Sequence, residues 1–136
     1  MLRALVVDDE PSVNAALECF LRIEGHAVRT ASDGAGALKA VRTERPDFIV
    51  LDLRMPDMNG IEVLQQIRAA DPSIVIILFS AYLDRSICQQ ALALGARACL
   101  QKPINLRDLS DHIARALSGP KPLLGPAEQT VEAEPL

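Results

Sequence analysis

The hydrophobic pattern of this chain alternates between two periods. Three short runs are almost continuously apolar, ALVV at 4–7, FIVLDL at 48–53 and IVIILF at 74–79, as strands covered by helices on both faces require. Two others, HAVRTAS at 26–32 and RACLQK at 97–102, mix polar with apolar residues and read as strands at the flanks of the same sheet. Between them the period lengthens. Val13, Ala16, Leu17, Phe20 and Leu21 recur at helical spacing, and Leu106, Leu109, Ile113 and Leu117 keep a similar stripe, so the first and fifth helices are amphipathic.

Helix punctuation agrees with this reading. Pro11 sits in a first turn, Asn105 precedes a helix with Asp108 three residues on, Gly25, Gly95 and Gly119 follow helix ends, and Pro46 and Pro72 block continuation. Strands alternating with helices predict an α/β fold, a doubly wound (βα)5 unit with a parallel sheet and right-handed crossovers. Polar strands at both edges fit the flavodoxin-like order 2-1-3-4-5, in which strands one and three are neighbours. Residues 1–118 form this domain, and residues 119–136, with four of the nine prolines, an acidic end and no apolar stripe, read as a disordered tail or linker.

The chemistry collects where that topology puts it. In an open parallel sheet the ligand site lies beyond the carboxyl ends of the strands. There VVDDE at 6–10, VLDLRMPDMNG at 50–60, FSAY at 79–82 and KP at 102–103 supply three carboxylates, a hydroxyl and an ammonium. Asp8, Asp9 and Asp52 converge at one mouth, where they raise one another's pKa unless a cation compensates. Mg2+ is the expected cation, with Mn2+ as a substitute, because a hard ion takes oxygen ligands and commonly joins carboxylates to a phosphate. A carboxylate can also accept a phosphoryl group as an aspartyl phosphate, with Lys102 and Ser80 neutralising its outer oxygens.

On these motifs the chain resembles the CheY-like receiver domain of two-component response regulators, over about Leu2 to Leu117. The resemblance implies Asp52 as phospho-acceptor, Asp9 as the principal acidic Mg2+ ligand, Asp8 as its helper, and the backbone carbonyl of Arg54 as a further ligand. It also implies phosphoryl contacts from Ser80 and Lys102, a cis bond between Lys102 and Pro103, and Gly60 as the turn glycine after the site loop. Arg54 and Tyr82 fall at the two positions that tune phosphoryl lifetime in the family, and their bulk implies slow autodephosphorylation. The implied partners are a histidine kinase or phosphotransfer protein and a downstream protein, reached through the fourth helix, fifth strand and fifth helix. The same resemblance implies no enzyme beyond a domain catalysing its own phosphorylation and dephosphorylation, either monomeric or weakly dimeric through the face of the fourth and fifth helices, where Ile87, Ala91, Leu94, Leu106 and Leu109 supply apolar material that core packing explains equally well. One position departs from the family. Three residues before Lys102, where the family carries a switch tyrosine or phenylalanine, this chain has Cys99.

Composition narrows the alternatives. The 136 residues suit one domain, and 49% hydrophobic residues with only three Phe, one Tyr and no Trp give an aliphatic core. A formal net charge of −4 without a dense basic cluster argues against direct nucleic-acid binding. No run is long enough for a signal peptide or membrane span, so the expected location is the cytoplasm. Cys19, Cys88 and Cys99 lack metal-site spacing and read as buried free thiols, and His26 and His112 as surface or structural histidines. After its fifth helix the chain is too short for an effector module, so output is expected to pass through a partner protein unless the tail is the stub of a longer linker. Competing classes are a pseudo-receiver that binds partners without phosphorylation, a phosphatase working through an aspartyl phosphate, and a flavodoxin. The second wants an acid where Arg54 stands, and the third lacks the aromatic residues that sandwich a flavin.

Overall fold

The structure, a computed structural model, describes residues 1–81 and 83–118. The readings of Tyr82, Gly119 and the 119–136 tail lie outside the described residues. Five strands and five helices alternate: β1 (Arg3–Val7), α1 (Pro11–Ile23), β2 (Ala27–Ala31), α2 (Gly34–Thr43), β3 (Phe48–Leu51), α3 (Gly60–Ala70), β4 (Val75–Ser80), α4 (Arg85–Ala93), β5 (Ala98–Gln101) and α5 (Leu106–Ser118). All the strand pairs are parallel and the order is β2-β1-β3-β4-β5, the doubly wound flavodoxin-like arrangement that the hydrophobic pattern implied.

Alternation along the strands divides the interior in two. Leu5, Val7, Ile49, Leu51, Ile76, Leu78 and Cys99 face α2, α3 and α4. Ala4, Val6, Val28, Phe48, Val50, Ile77, Phe79 and Leu100 face α1 and α5. Because both sets are buried, the central strands carry apolar residues at every position rather than at every second one.

The helix stripes needed correction in detail. On α1 the buried positions are Asn14, Leu17 and Leu21, while Ala16 is exposed and Val13 and Phe20 are half-buried. The stripe is centred on Leu17, so Cys19 lies on the solvent side and is exposed, against the expectation of a buried thiol. Cys88 and Cys99 are free and buried. On α5 Leu109, Ile113 and Ala116 are buried, and Leu106, at the first turn, remains 39% exposed.

Strand ends shift in a way that matters for the site. β3 stops at Leu51, leaving Asp52 and Leu53 in the following loop, and β4 runs on through Ser80. Ser80 is held there because it pairs with Gln101 of β5 and its carbonyl accepts the Lys102 amide at 3.0 Å. Gly25 and Gly95, after α1 and α4, have φ of 98° and 107°, the left-handed region where glycine carries no Cβ penalty.

Candidate phosphoryl and metal site

Parallel pairing of β1 with β3 brings the ends of these two strands side by side: Val7 is the register partner of Leu51, and the Asp52 amide donates to the Val7 carbonyl at 2.8 Å. The residues that follow each strand are therefore forced together. Asp8, Asp9 and Asp52 each offer a carboxylate oxygen within 4.8 Å of the others. Asp8 and Asp52 are buried, at 2% and 6% exposure, and Asp9 is exposed. Asp9, Asp52, Arg54 and Lys102 line one cleft with Glu10, Met55, Pro56 and Ala81.

Lys102 reaches this cluster from the end of β5. Its Nζ lies 2.5 Å from Asp8 Oδ2 and 3.8 Å from Asp52 Oδ2, and 5.3 Å from the Phe79 ring centroid. The Lys102-Pro103 peptide bond is cis, as the resemblance implied. Ser80, fully buried at the end of β4, hydrogen-bonds the Asp52 carboxylate, which also accepts the Arg54 backbone amide. Asp8, Asp9, Asp52, Ser80 and Lys102 are thus gathered at one mouth.

The electrostatics are unbalanced. Burial pushes the Asp52 carboxyl above its ordinary 3.8, and the neighbouring Asp8 pushes it further; Lys102, the Arg54 amide and the Ser80 hydroxyl oppose the rise without cancelling it. Lys102 lowers the Asp52 value without bringing it back to the ordinary one. A second, hard cation held by oxygen ligands suits the set, so Asp8, Asp9 and Asp52 fit Mg2+.

The loops that carry these groups are tightly built. Gly60 opens α3 against the site: a Cβ there would lie 2.5 Å from the Asp52 carbonyl oxygen and 2.7 Å from Leu53 Cα, and its amide donates to Leu53 O at 2.6 Å. Asn59 and Glu62 form a reciprocal capping box at the same helix start. Behind β1, Asn14 Nδ2 donates to the Asp8 carbonyl at 2.8 Å and the Ala31 carbonyl at 3.1 Å. The pattern reading passed over Asn14, whose signal was a polar residue three positions before Leu17 on the buried face of α1.

Cys99 occupies a closed layer. Its side chain is 1% exposed and packs toward α4, where its Sγ donates to the Cys88 carbonyl at 3.7 Å. Hydrogen bonding with Cys88 and burial hold the thiol far above the ordinary range, so it is a packing group rather than a nucleophile. His26, by contrast, is a satisfied structural histidine, with Nδ1 accepting the Leu2 amide at 3.4 Å and the ring set edge-on to Phe48.

Residues 4–114 match the model of the response regulator receiver domain. The chain belongs to the response regulator receiver family. Among curated relatives, sporulation initiation phosphotransferase F of Bacillus subtilis is 32% identical over 85% of this chain and 93% of that protein. Transcriptional regulatory protein KdpE of Mycobacterium tuberculosis is 42% identical over 86% of this chain and 51% of its own length, so the chain spans about half of that regulator. Among solved structures, chemotaxis protein CheY4 of Vibrio cholerae superimposes with a TM-score of 0.82 at 31% identity, covering 86% of this chain and 99% of that one. The receiver fold is therefore shared across its full extent. Among the described residues no helix is long and apolar enough to cross a membrane.

Proposed function

We propose that this receiver domain is a phosphorylation-dependent switch in which Asp52 accepts a phosphoryl group from a histidine kinase or phosphotransfer protein. The observation that carries this reading is the convergence of Asp8, Asp9 and Asp52 with Lys102 and Ser80 around one cleft. Asp8, Asp9, Asp52 and the Arg54 carbonyl would hold Mg2+, or Mn2+ in its place, which supplies charge neutralisation to the incoming phosphate. The Asp52 carboxylate attacks phosphorus, the donor's bond to phosphorus breaks, and an aspartyl phosphate forms. Lys102, released from Asp8, and the Ser80 hydroxyl then bind its outer oxygens.

The signal passes as a population shift. Ser80 terminates β4 one strand from Cys99 and leads into α4, so a change in its hydrogen bonding bears first on the face made by α4, β5 and α5. In other receivers an aromatic ring three residues before the lysine accompanies this step; here Cys99 fills that position, and readout rests on the loop after Ser80 and α4. On this reading the domain turns over no separate substrate and catalyses only the gain and loss of its own phosphoryl group.

The test is intact-protein mass after incubation with acetyl phosphate and Mg2+, beside an Asp52→Ala variant and a chelated control. A labile single-phosphoryl increase lost in both controls supports the reading. Its absence, with Mg2+ binding intact, would make the protein a pseudo-receiver whose partner-binding surface is its functional part.

A further inference from the structure

The loop from Leu53 to Asn59, between the end of β3 and α3, belongs to neither a strand nor a helix. Its fixed points lie elsewhere. Asp57 Oδ1 accepts the Gly34 amide at 2.8 Å and Asp57 Oδ2 accepts the Ala35 amide at 3.0 Å. These two backbone hydrogen bonds hold the Asp57 carboxyl below its ordinary 3.8. Beside them the Met58 side chain lies directly over Gly34, where a Cβ would come 2.2 Å from Met58 Cγ. Asp57 thus caps α2 from outside that helix, although α2 already has its own cap, Asp33, whose carboxylate accepts the Gly36 amide at 2.7 Å. A helix start has several orphan amides, and here two different segments share them.

The other half of the site rests on the same corner. The Ala31 carbonyl, at the end of β2, accepts the Asp8 amide at 3.1 Å, and Asn14 joins that carbonyl to the carbonyl of Asp8. Ala31 to Ala35 therefore contacts both the β1 loop that carries Asp8 and Asp9 and the β3 loop that carries Arg54, without contributing a group to the cleft itself.

We propose that Asp57 is a positioning residue: by clamping the β3 loop to the corner at Ala31–Ala35, it sets the distance of the Arg54 backbone from Asp52 and so the cation and phosphoryl affinity of the site. The inference rests on the proposed role of the acidic cluster as a Mg2+ site. Groups that orient metal ligands from behind typically change metal affinity by about 10-fold to 100-fold when removed. The bidentate clamp is of this kind, because the Arg54 amide that it steadies is a direct donor to Asp52.

The experiment compares Asp57→Ala, Asp57→Asn and Asp33→Ala with the unaltered protein. Asp33→Ala removes the helix's own cap and leaves the loop clamp intact, so it reports what weakening of α2 alone does. Mg2+ affinity is measured calorimetrically, and amide hydrogen exchange across 53–60 is followed in metal-free protein. The expected result is an Mg2+ Kd raised about tenfold in Asp57→Ala, with faster exchange in the loop, a smaller change in Asp57→Asn, which keeps one acceptor oxygen, and little change in Asp33→Ala. Equal effects of Asp57→Ala and Asp33→Ala, or an Asp57→Ala Kd within twofold of the unaltered protein, would overturn the positioning role. Should Asp57→Ala fail to fold, the ranking of Asp57→Asn against Asp33→Ala decides the question by the same criterion. If the unaltered protein itself bound no Mg2+, the metal reading of the acidic cluster would fail and take this inference with it.

Discussion

Lys102 Nζ and Asp8 Oδ2 stand 2.5 Å apart across 94 positions of sequence, and this partly buried ion pair, with Asp52 at 3.8 Å from the same nitrogen, partly balances the acidic cluster. Lys102→Ala leaves buried carboxylates facing one another. Removing one partner of a fully buried pair costs roughly 3 kcal/mol, and with Lys102 only partly buried the loss here is expected below that at pH 7 in chelator. The deficit shrinks at low pH, where Asp52, with its raised pKa, takes up a proton, and Mg2+ restores part of it. Urea denaturation at two pH values with and without Mg2+ checks all three.

Asp52 gives the opposite sign. Its folded-state pKa lies above the ordinary 3.8, first through burial and then through Asp8. A raised carboxyl pKa means that the folded state binds the proton more tightly than the unfolded chain. The contribution to stability is present below 3.8 and disappears as pH climbs through the folded value. At pH 7 the ionised group therefore opposes folding, so metal-free Asp52→Asn is expected to melt higher than the unaltered protein. The difference narrows as pH falls toward 4. Thermal melts across that range read it directly, and an unchanged or lower Tm at pH 7 would contradict the origin assigned to the shift.

Arg68 bears on stability at the opposite end of the sheet. Its guanidinium donates from Nη1 to the carbonyls of Pro72 and Ile74 at 2.6 and 2.8 Å, and from Nη2 to Gly95 at 2.8 Å, joining the end of α3 to the turns before β4 and β5. Arg68→Ala removes three hydrogen bonds, two of them to partly buried carbonyls, and is expected to cost about 2 kcal/mol, at roughly 1 kcal/mol for each partly buried bond. Arg68→Lys should rescue little, since a single ammonium lacks the planar fork. Chemical denaturation of both variants separates loss of charge from loss of geometry.

Cys99 tests how this chain does without the family's ring. The thiol is 1% exposed and shares a buried layer with Cys88 and Ala91, so Cys99→Tyr must fit a ring where a thiol is now enclosed. Overpacking of this kind costs about 1–3 kcal/mol. The variant is expected to be less stable and its phosphorylation by acetyl phosphate still measurable, because Cys99 is not among the residues that line the cleft. A Cys99→Tyr protein as stable as the parent would show that a space for the ring persists beside α4.

The strands, their order and the acidic mouth were legible in the sequence because each depends on local or periodic information. A run such as FIVL has to be covered on both faces, and aspartates that follow such runs fall at the carboxyl end of the sheet. Lys102, Ser80 and the three aspartates could be assembled from that rule and the family's motifs together. What escaped were contacts between segments without a shared period: Asn14 beneath Asp8, Asp57 at the start of α2, and Arg68 beneath Gly95. Each is a polar side chain meeting a distant backbone, and residue type alone does not say which backbone.

The sequence by itself thus determined the alternation of elements, the two-faced burial of the central strands and the identity of the charged groups, since hydrophobic periodicity and strand polarity depend on neighbours a few positions away. Tertiary structure alone decided that Lys102 pairs with Asp8 more closely than with Asp52, that Cys19 faces solvent, and that two loops share one corner at Ala31–Ala35. The physical reason is that hydrogen bonds and ion pairs act over about 3 Å, so their partners are settled only when packing has brought distant segments to that distance.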